Sequence, residues 1–243
     1  MIRTLELHLG LISAVLVALA ARSKKTRLLC ALLPIALGFG VVPLVSSFVP
    51  KAPPAVTGDT IKLLTLNLMY VNREVEPVFE AVMAAEADVV LFQEYSPHWH
   101  RAFQFALAAT YPFFSGKPLP SPNGVAIYSR LPFLGTEERV FYMEGSGQPH
   151  VRAVVNVGGR EVSIYNMYLL GPHFFGALDV RRKQFGDLLE LLLGDLRPVI
   201  VAGDFNLTNS SPQARELRRL DLTDVCDQVG GGPGNTWPYA GAL

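Results

Sequence analysis

The stretch that decides the fold is Val199-Ile-Val-Ala-Gly-Asp-Phe-Asn206. Four apolar residues, three of them β-branched, are followed at once by Gly203, an acid and an amide. A short apolar run with β-branched residues reads as a buried strand. A carboxylate directly after such a strand is costly unless it meets a partner. Taken singly, Gly-Asp-Phe-Asn also admits the reading of a tight turn with capping side chains.

The same arrangement recurs elsewhere in the chain. Ile61-Lys-Leu-Leu-Thr-Leu-Asn67 reads as a strand ending in an amide, and Val89-Val-Leu-Phe92 as a buried strand followed by Gln93 and Glu94. Gly124–Tyr128 is another short apolar strand, and two alternating stretches, Val151–Val157 and Glu161–Met167, flank Gly158-Gly159, a hairpin signal. Helices are expected from about Pro77, burying Val78, Phe79, Val82 and Met83, and over Leu178–Leu193, with Phe185, Leu188, Leu189 and Leu192 on one face. The mixture predicts an α/β domain with its strands in two sheets. Asn67, Glu94, Asp204 and Asn206 all stand at strand ends, which converge on a rim where ligands bind. Two carboxylates with hard amide oxygens suit a Mg²⁺ ion that keeps several waters.

The order of these motifs carries a resemblance. Thr65-Leu-Asn67, Asp88-Val-Val-Leu-Phe-Gln-Glu94, Asn123-Gly-Val-Ala-Ile-Tyr-Ser129 and Val199–Asn206 are similar to the successive motifs of the endonuclease/exonuclease/phosphatase superfamily. Ser211-Pro212, Leu222-Thr-Asp224 and Thr236-Trp237-Pro238 are similar to its later landmarks. The resemblance implies a four-layer α/β/β/α sandwich of two packed mixed sheets, with a site at one edge. It implies hydrolysis of a phosphodiester or phosphomonoester by metal-activated water, with Mg²⁺, or Mn²⁺ in its place, as cofactor. Glu94 would be the principal metal ligand, with Asn67 and Asp204 beside it. Asp204 would orient or deprotonate the attacking water, and Asn206 would donate to the phosphoryl oxygens. Asn67 would also help to fix metal-bound water or phosphate.

Two departures from the family pattern stand out. Asn166-Met-Tyr168 replaces an Asn-Thr-His motif, which makes Tyr168 a candidate phosphate donor and His173 a local substitute. The family's closing Ser-Asp-His does not occur, and none of His8, His98, His100, His150 or His173 has that context. The expectation is therefore a domain over residues 60–243 that lacks its final strand and Asp-His pair, in a poorly active chain. The alternative is an inactive relative acting as a membrane-bound binding or structural protein.

Other candidates are weaker. Arg152 heads a strand near the rim and is expected to contact an anionic substrate. His98 and His100 read as a solvated helix start, and Arg181 and Gln184 as the polar surface of the long helix. Cys30 and Cys226 read as unpaired thiols, since no disulfide framework or zinc spacing occurs.

Composition sets the remaining bounds. Half of the 243 residues are hydrophobic, and the excess lies at the front. Residues 9–21 and 28–49 are apolar runs, the first interrupted only by Ser13 and extendable back to Leu5. About 20 apolar residues cross about 30 Å of hydrocarbon. Residues 1–50 are thus expected to form a membrane anchor of two transmembrane helices, about 5–21 and 28–49. Between them lies Arg22-Ser-Lys-Lys-Thr-Arg27, placed in the cytoplasm by the positive-inside rule. A secretory signal fits poorly, because only Arg3 precedes the first run. Residues 51–59, with Pro53, Pro54 and Gly58, read as a stiff linker. The catalytic domain would then lie outside the cytoplasm of a bacterial cell, in the periplasm, on the inner membrane. Residues 1–51 carry six basic residues and one acid, while residues 52–243 carry a net charge of −5. Such a domain has no basic footprint for strong nucleic-acid binding. The expected partners are the bilayer and a phosphate ester; oligomeric state is not legible.

Overall fold

The computed structural model describes residues 57–135, 139–143, 147–171, 177–207 and 211–229, with positions 12, 15–19, 22, 38, 52 and 55. Both expected membrane spans fall almost wholly outside these residues, as do His173 and Thr236–Pro238. No helix among the described residues is long and apolar enough to cross a membrane.

Residues Val56–Asn206 form one compact unit. Its elements are β1 (Leu63–Asn67), α1 (Val75–Ala85), β2 (Val89–Gln93), α2 (Pro97–Ala106), β3 (Phe113–Lys117), β4 (Val125–Ser129), β5 (Val140–Tyr142), β6 (Pro149–Val157), β7 (Arg160–Tyr168), α3 (Ala177–Gly194) and β8 (Val199–Asp204). They build two mixed four-stranded sheets, ordered β1-β2-β4-β3 and β5-β6-β7-β8. In each sheet one pair of strands is parallel: β1 with β2, and β7 with β8. Parallel neighbours need a crossover. Helix α1 follows β1 and helix α3 follows β7.

Sequence chemistry accounts for the pairing. β2 and β4 are buried along their whole length because both faces of the first sheet are covered. One face packs on α1 and α2 through Val82, Val90, Phe92, Trp99, Phe103 and Tyr128. The other meets the second sheet, where Val89, Leu91, Val125 and Ile127 face Val151, Ala153, Val155 and Ile164. The alternation in β6 and β7 sends those residues inward, and Gly158 and Gly159, both at positive φ, make the mirror-image turn that a tight hairpin needs. Pro97 opens α2 at its first turn, where a missing N–H costs nothing.

The register fixes which ends meet. Asn67 pairs with Gln93, Gln93 with Val125 and Val125 with Lys117 in the first sheet. Tyr168 pairs with Asp204 in the second. Gly203 lets β8 lie this close: its φ is +131°, and a Cβ there would strike the Met167 backbone.

The second unit comprises residues 1–55 and 207–243. Its described helices are α4 (Pro212–Arg219) and α5 (Val225–Val229). Ser211 caps α4 by accepting from Ala214 N–H at 3.1 Å, with Pro212 in the first turn. Asp224 accepts from Cys226 N–H at 3.0 Å and sits 3.7 Å from Arg218. Cys226 is a free, exposed thiol.

Candidate active site

Asn67, Glu94 and Asp204 come together from three strand ends in two sheets. The Asn67 side-chain NH₂ donates to Glu94 Oε1 at 3.0 Å and to Asp204 Oδ2 at 2.9 Å. Its Oδ1 accepts the Met69 N–H at 2.8 Å, so the amide orientation is set by three bonds. The expected convergence of the two carboxylates is therefore present. The orientation of Asn67 differs from expectation, because its nitrogen rather than its oxygen faces them.

Each carboxylate is held on its other side as well. Glu94 Oε2 accepts the Tyr70 N–H at 2.6 Å. Asp204 Oδ1 accepts the Asn206 N–H at 2.9 Å. The Tyr168 hydroxyl donates to Glu94 Oε1 at 3.5 Å. Burial first, then the charges of Glu94 and Asp204, push the Tyr168 phenol well above its ordinary range. It stays a neutral donor. Asn206 points its own NH₂ at the Leu169 carbonyl, 2.8 Å away.

The backbone here is strained. Of five non-glycine residues with positive φ among the described residues, Met69, Glu94 and Asn206 belong to this cluster. Left-handed conformations of such residues persist where the surroundings over-determine them, and they gather at functional sites. Glu94 is pinned by its successor: Tyr95 N–H donates to the Gly124 carbonyl at 2.8 Å, and a Cβ on Gly124 would run into the Tyr95 carbonyl.

Beneath the cluster lies a buried amide lock that joins the sheets. Gln93 Nε2 donates to Asn166 Oδ1 at 2.7 Å and to Thr65 Oγ1 at 3.1 Å. Asn166 Nδ2 donates to the carbonyls of Phe92 and Ala126, at 3.0 and 2.8 Å. His150, on the other face of β6, is fully buried, and its Nδ1 accepts the Tyr168 N–H at 3.4 Å. Burial pushes its imidazole down to about 4.

Three sequence expectations are corrected. Arg152 is not brought to the cluster. It lies on the strand face opposite Val151 and Ala153, where Nη2 pairs with Asp195 Oδ2 at 2.7 Å and with Ser163 Oγ at 3.3 Å. Burial alone would raise the Asp195 carboxyl, but bonds from Ser163, Tyr165 and Arg152 together hold it well below the usual range. Arg181 and Gln184 are buried rather than surface residues, at 8% and 0% exposure. The signal was available: Arg181, Phe185, Leu188 and Leu192 follow the spacing of one helix face. His98 and His100 are half-buried, and His100 Nδ1 lies 3.1 Å from the Tyr95 hydroxyl, within the α2 packing.

A divalent cation fits the cluster. The two carboxylates converge on a single donor group, whose partial positive charge offsets their repulsion. Among the described residues no larger group of acids, histidines or cysteines converges anywhere. Glu94 and Asp204 with several waters would suit Mg²⁺ or Mn²⁺, which need only one or two carboxylates from the protein.

A model of the Endonuclease/Exonuclease/phosphatase family matches residues 64–242. No curated protein sequence matches the chain. Among solved structures, a beta toxin from Staphylococcus aureus with bound magnesium ions superposes with a TM-score of 0.54 at 17% identity, covering 69% of this chain and 72% of that one. Sphingomyelinase C from Streptomyces griseocarneus gives 0.52 at 22% identity, with 69% and 72% covered. Humanized D. rerio TDP2 gives 0.52 at 16% identity, with 68% of each chain covered. At these identities the likeness is one of fold.

Proposed function

Since the chain belongs to the Endonuclease/Exonuclease/phosphatase family, we propose that it is a metal-dependent phosphoesterase acting on a phosphodiester or phosphomonoester. The observation that carries this reading is the Asn67 amide bonded to both Glu94 and Asp204, which brings two acids from separate sheets to one point. Glu94 and Asp204 would hold the cation, Mg²⁺ or Mn²⁺. When bound it supplies Lewis-acid stabilisation of charge on the phosphate and its leaving oxygen.

The protein's own groups account for the remaining work. Asp204 has one oxygen on the Asn206 N–H and the other on Asn67, so its carboxylate is fixed to receive a proton from the attacking water. The water oxygen bonds to phosphorus as the ester P–O bond breaks, and the leaving oxygen takes up a proton from solvent. Tyr168, protonated and anchored in the second sheet, donates to a phosphoryl oxygen as negative charge grows there. The second N–H of Asn206 Nδ2, left over from the Leu169 bond, donates likewise. Asn206 needs no reorganisation for this, whereas the Tyr168 hydroxyl turns its one proton from Glu94 to the phosphoryl oxygen. The two N-terminal apolar runs support an inner-membrane anchor with the catalytic domain in the periplasm, and the domain's charge of −5 supports a small or lipid ester over strong nucleic-acid binding.

The test uses the full chain in detergent with p-nitrophenyl phosphate and bis-p-nitrophenyl phosphate. Hydrolysis should require Mg²⁺ or Mn²⁺, stop with EDTA, and fall by about 10³ or more in Asp204→Ala. Hydrolysis that survives EDTA, or that Asp204→Ala leaves intact, would overturn the reading. Metal binding without hydrolysis of any ester would favour the binding-protein alternative.

A further inference from the structure

We propose that Arg181 is a positioning residue that fixes the segments leaving β7 and β8 in one relation, and so sets where Tyr168 and Asn206 stand. This rests on the phosphoesterase reading of the site, although the geometry is independent of it.

The Arg181 guanidinium is a two-pronged staple. Its Nη1 donates to the Leu170 carbonyl, and its Nη2 donates to the Asn206 carbonyl at 2.9 Å. Leu170 follows Tyr168 by two residues and Asn206 follows Asp204 by two, so each prong ends just past a site residue. Gln184, one turn along the same face of α3, takes the other polar group of Leu170: its Oε1 accepts the Leu170 N–H at 3.2 Å. Gln184 is itself oriented, because its Nε2 donates to Gln148 Oε1 at 2.5 Å, and Gln148 Nε2 donates to Asn123 Oδ1 at 2.9 Å. The neighbouring Leu169 gives its N–H to the Asp204 carbonyl at 2.9 Å and accepts from Asn206 Nδ2. Every backbone polar group of Leu169 and Leu170 therefore ends on β8, its exit or α3.

This use of an arginine is unusual for a fold-stabilising one. Among the described residues it has carbonyls, and no carboxylate, at hydrogen-bond distance, although it is buried. Burial works against its charge, and the Asp204 carboxylate is the nearby charge that favours it. Its donors go neither to its own helix nor to the sheet cores. They go to two irregular segments, one of them holding Asn206 at a strained φ of +49°. Both segments end in groups that must point at a phosphoryl oxygen, and a misplacement of 1 Å in such groups can cost about 10²-fold in rate. Lysine cannot take the role, because an ammonium is a compact point of charge and the guanidinium is a rigid planar fork.

The experiment compares the full chain with Arg181→Lys, Arg181→Gln and the exposed control Arg182→Gln on the same helix, whose side chain is 76% exposed. Hydrogen exchange by mass spectrometry follows segments 168–171 and 203–206 beside the core strand 89–93. Steady-state kinetics on bis-p-nitrophenyl phosphate with Mg²⁺ are measured in parallel. Both Arg181 variants should speed exchange in the two site segments by about tenfold and leave the core strand unchanged. Their kcat should fall by about 10- to 100-fold with KM within threefold, and Arg182→Gln should match the unaltered chain. Wild-type exchange and kcat in Arg181→Lys would show that charge alone suffices and would overturn the proposal. So would parallel acceleration in the core strand, which marks a general loss of stability. If the unaltered chain hydrolyses nothing, the phosphoesterase reading falls, and the exchange comparison alone decides the positioning role.

Discussion

At the scale of single residues, the site is a balance of like charges around one amide. Glu94 and Asp204 repel each other, and Asn67 offsets this with a partial charge only. Glu94→Gln removes one negative charge and keeps an oxygen for the Tyr70 N–H, while its NH₂ replaces the acceptor that Asn67 and Tyr168 use, so folding should lose no more than about 1 kcal/mol. Mg²⁺ affinity should weaken by at least about tenfold, since the ion's charge is then met by one carboxylate. Magnesium titration of hydrolysis beside thermal melting checks this; an unchanged titration midpoint would remove Glu94 from the metal site. Tyr168 makes a second case. Tyr168→Phe deletes one neutral donor beside the carboxylates and should cost about 10²–10³ in kcat. Steady-state kinetics on bis-p-nitrophenyl phosphate check this; an unchanged kcat would remove Tyr168 from the phosphate site.

At the scale of elements, β6 carries a buried titratable group on its face opposite Val151 and Ala153, packed on Phe141. His150 is neutral in the folded protein because burial holds its imidazole at about 4, against about 6.5 when exposed. Between these values the unfolded chain binds more protons, so stability falls as the pH drops through that window. The shift corresponds to about 3 kcal/mol by pH 4, and urea unfolding between pH 7 and 4 measures it. His150→Leu should flatten the curve in that window; an unchanged slope would assign the acid sensitivity elsewhere. The Asp195 contribution is lost only at lower pH, as its depressed carboxyl protonates, so the two windows separate. The same elements show what sequence reveals. β2, β4 and the β6–β7 hairpin were legible because runs of Val and Ile and the Gly158-Gly159 pair carry local signals. Glu94 and Asp204 were legible because an acid closing an apolar strand is anomalous. The roles of Gln93 and Asn166 were not, since their partners are 73 residues apart in the chain. Arg152 misled for a related reason: period 2 places it on a face, but its Asp195 partner lies beyond α3. Arg181 reads as surface by residue type, whereas its place on the apolar stripe of α3 buries it.

At the scale of the whole molecule, charge is divided along the chain, and this bears on where the catalytic domain works. Arg22, Lys24, Lys25 and Arg27 lie between the two apolar runs, and the acidic domain follows the second. Moving one charge against a membrane potential of 100 mV costs about 2.3 kcal/mol, so placing all four outside would cost about 9. In the proposed two-span anchor the −5 domain follows the second apolar run and is not itself read by the orientation rule, which counts basic residues near the span ends. The loop should therefore stay in the cytoplasm and the domain should lie outside. Alkaline phosphatase joined after Thr60 should be active in a bacterial host, and β-galactosidase at the same joint should be inactive. The fusion should remain in the membrane fraction after an alkaline carbonate wash. An active β-galactosidase fusion with a silent phosphatase would reverse the orientation. Release of an active phosphatase fusion by carbonate would instead show that neither apolar run spans the bilayer in the exported chain and would remove the anchor.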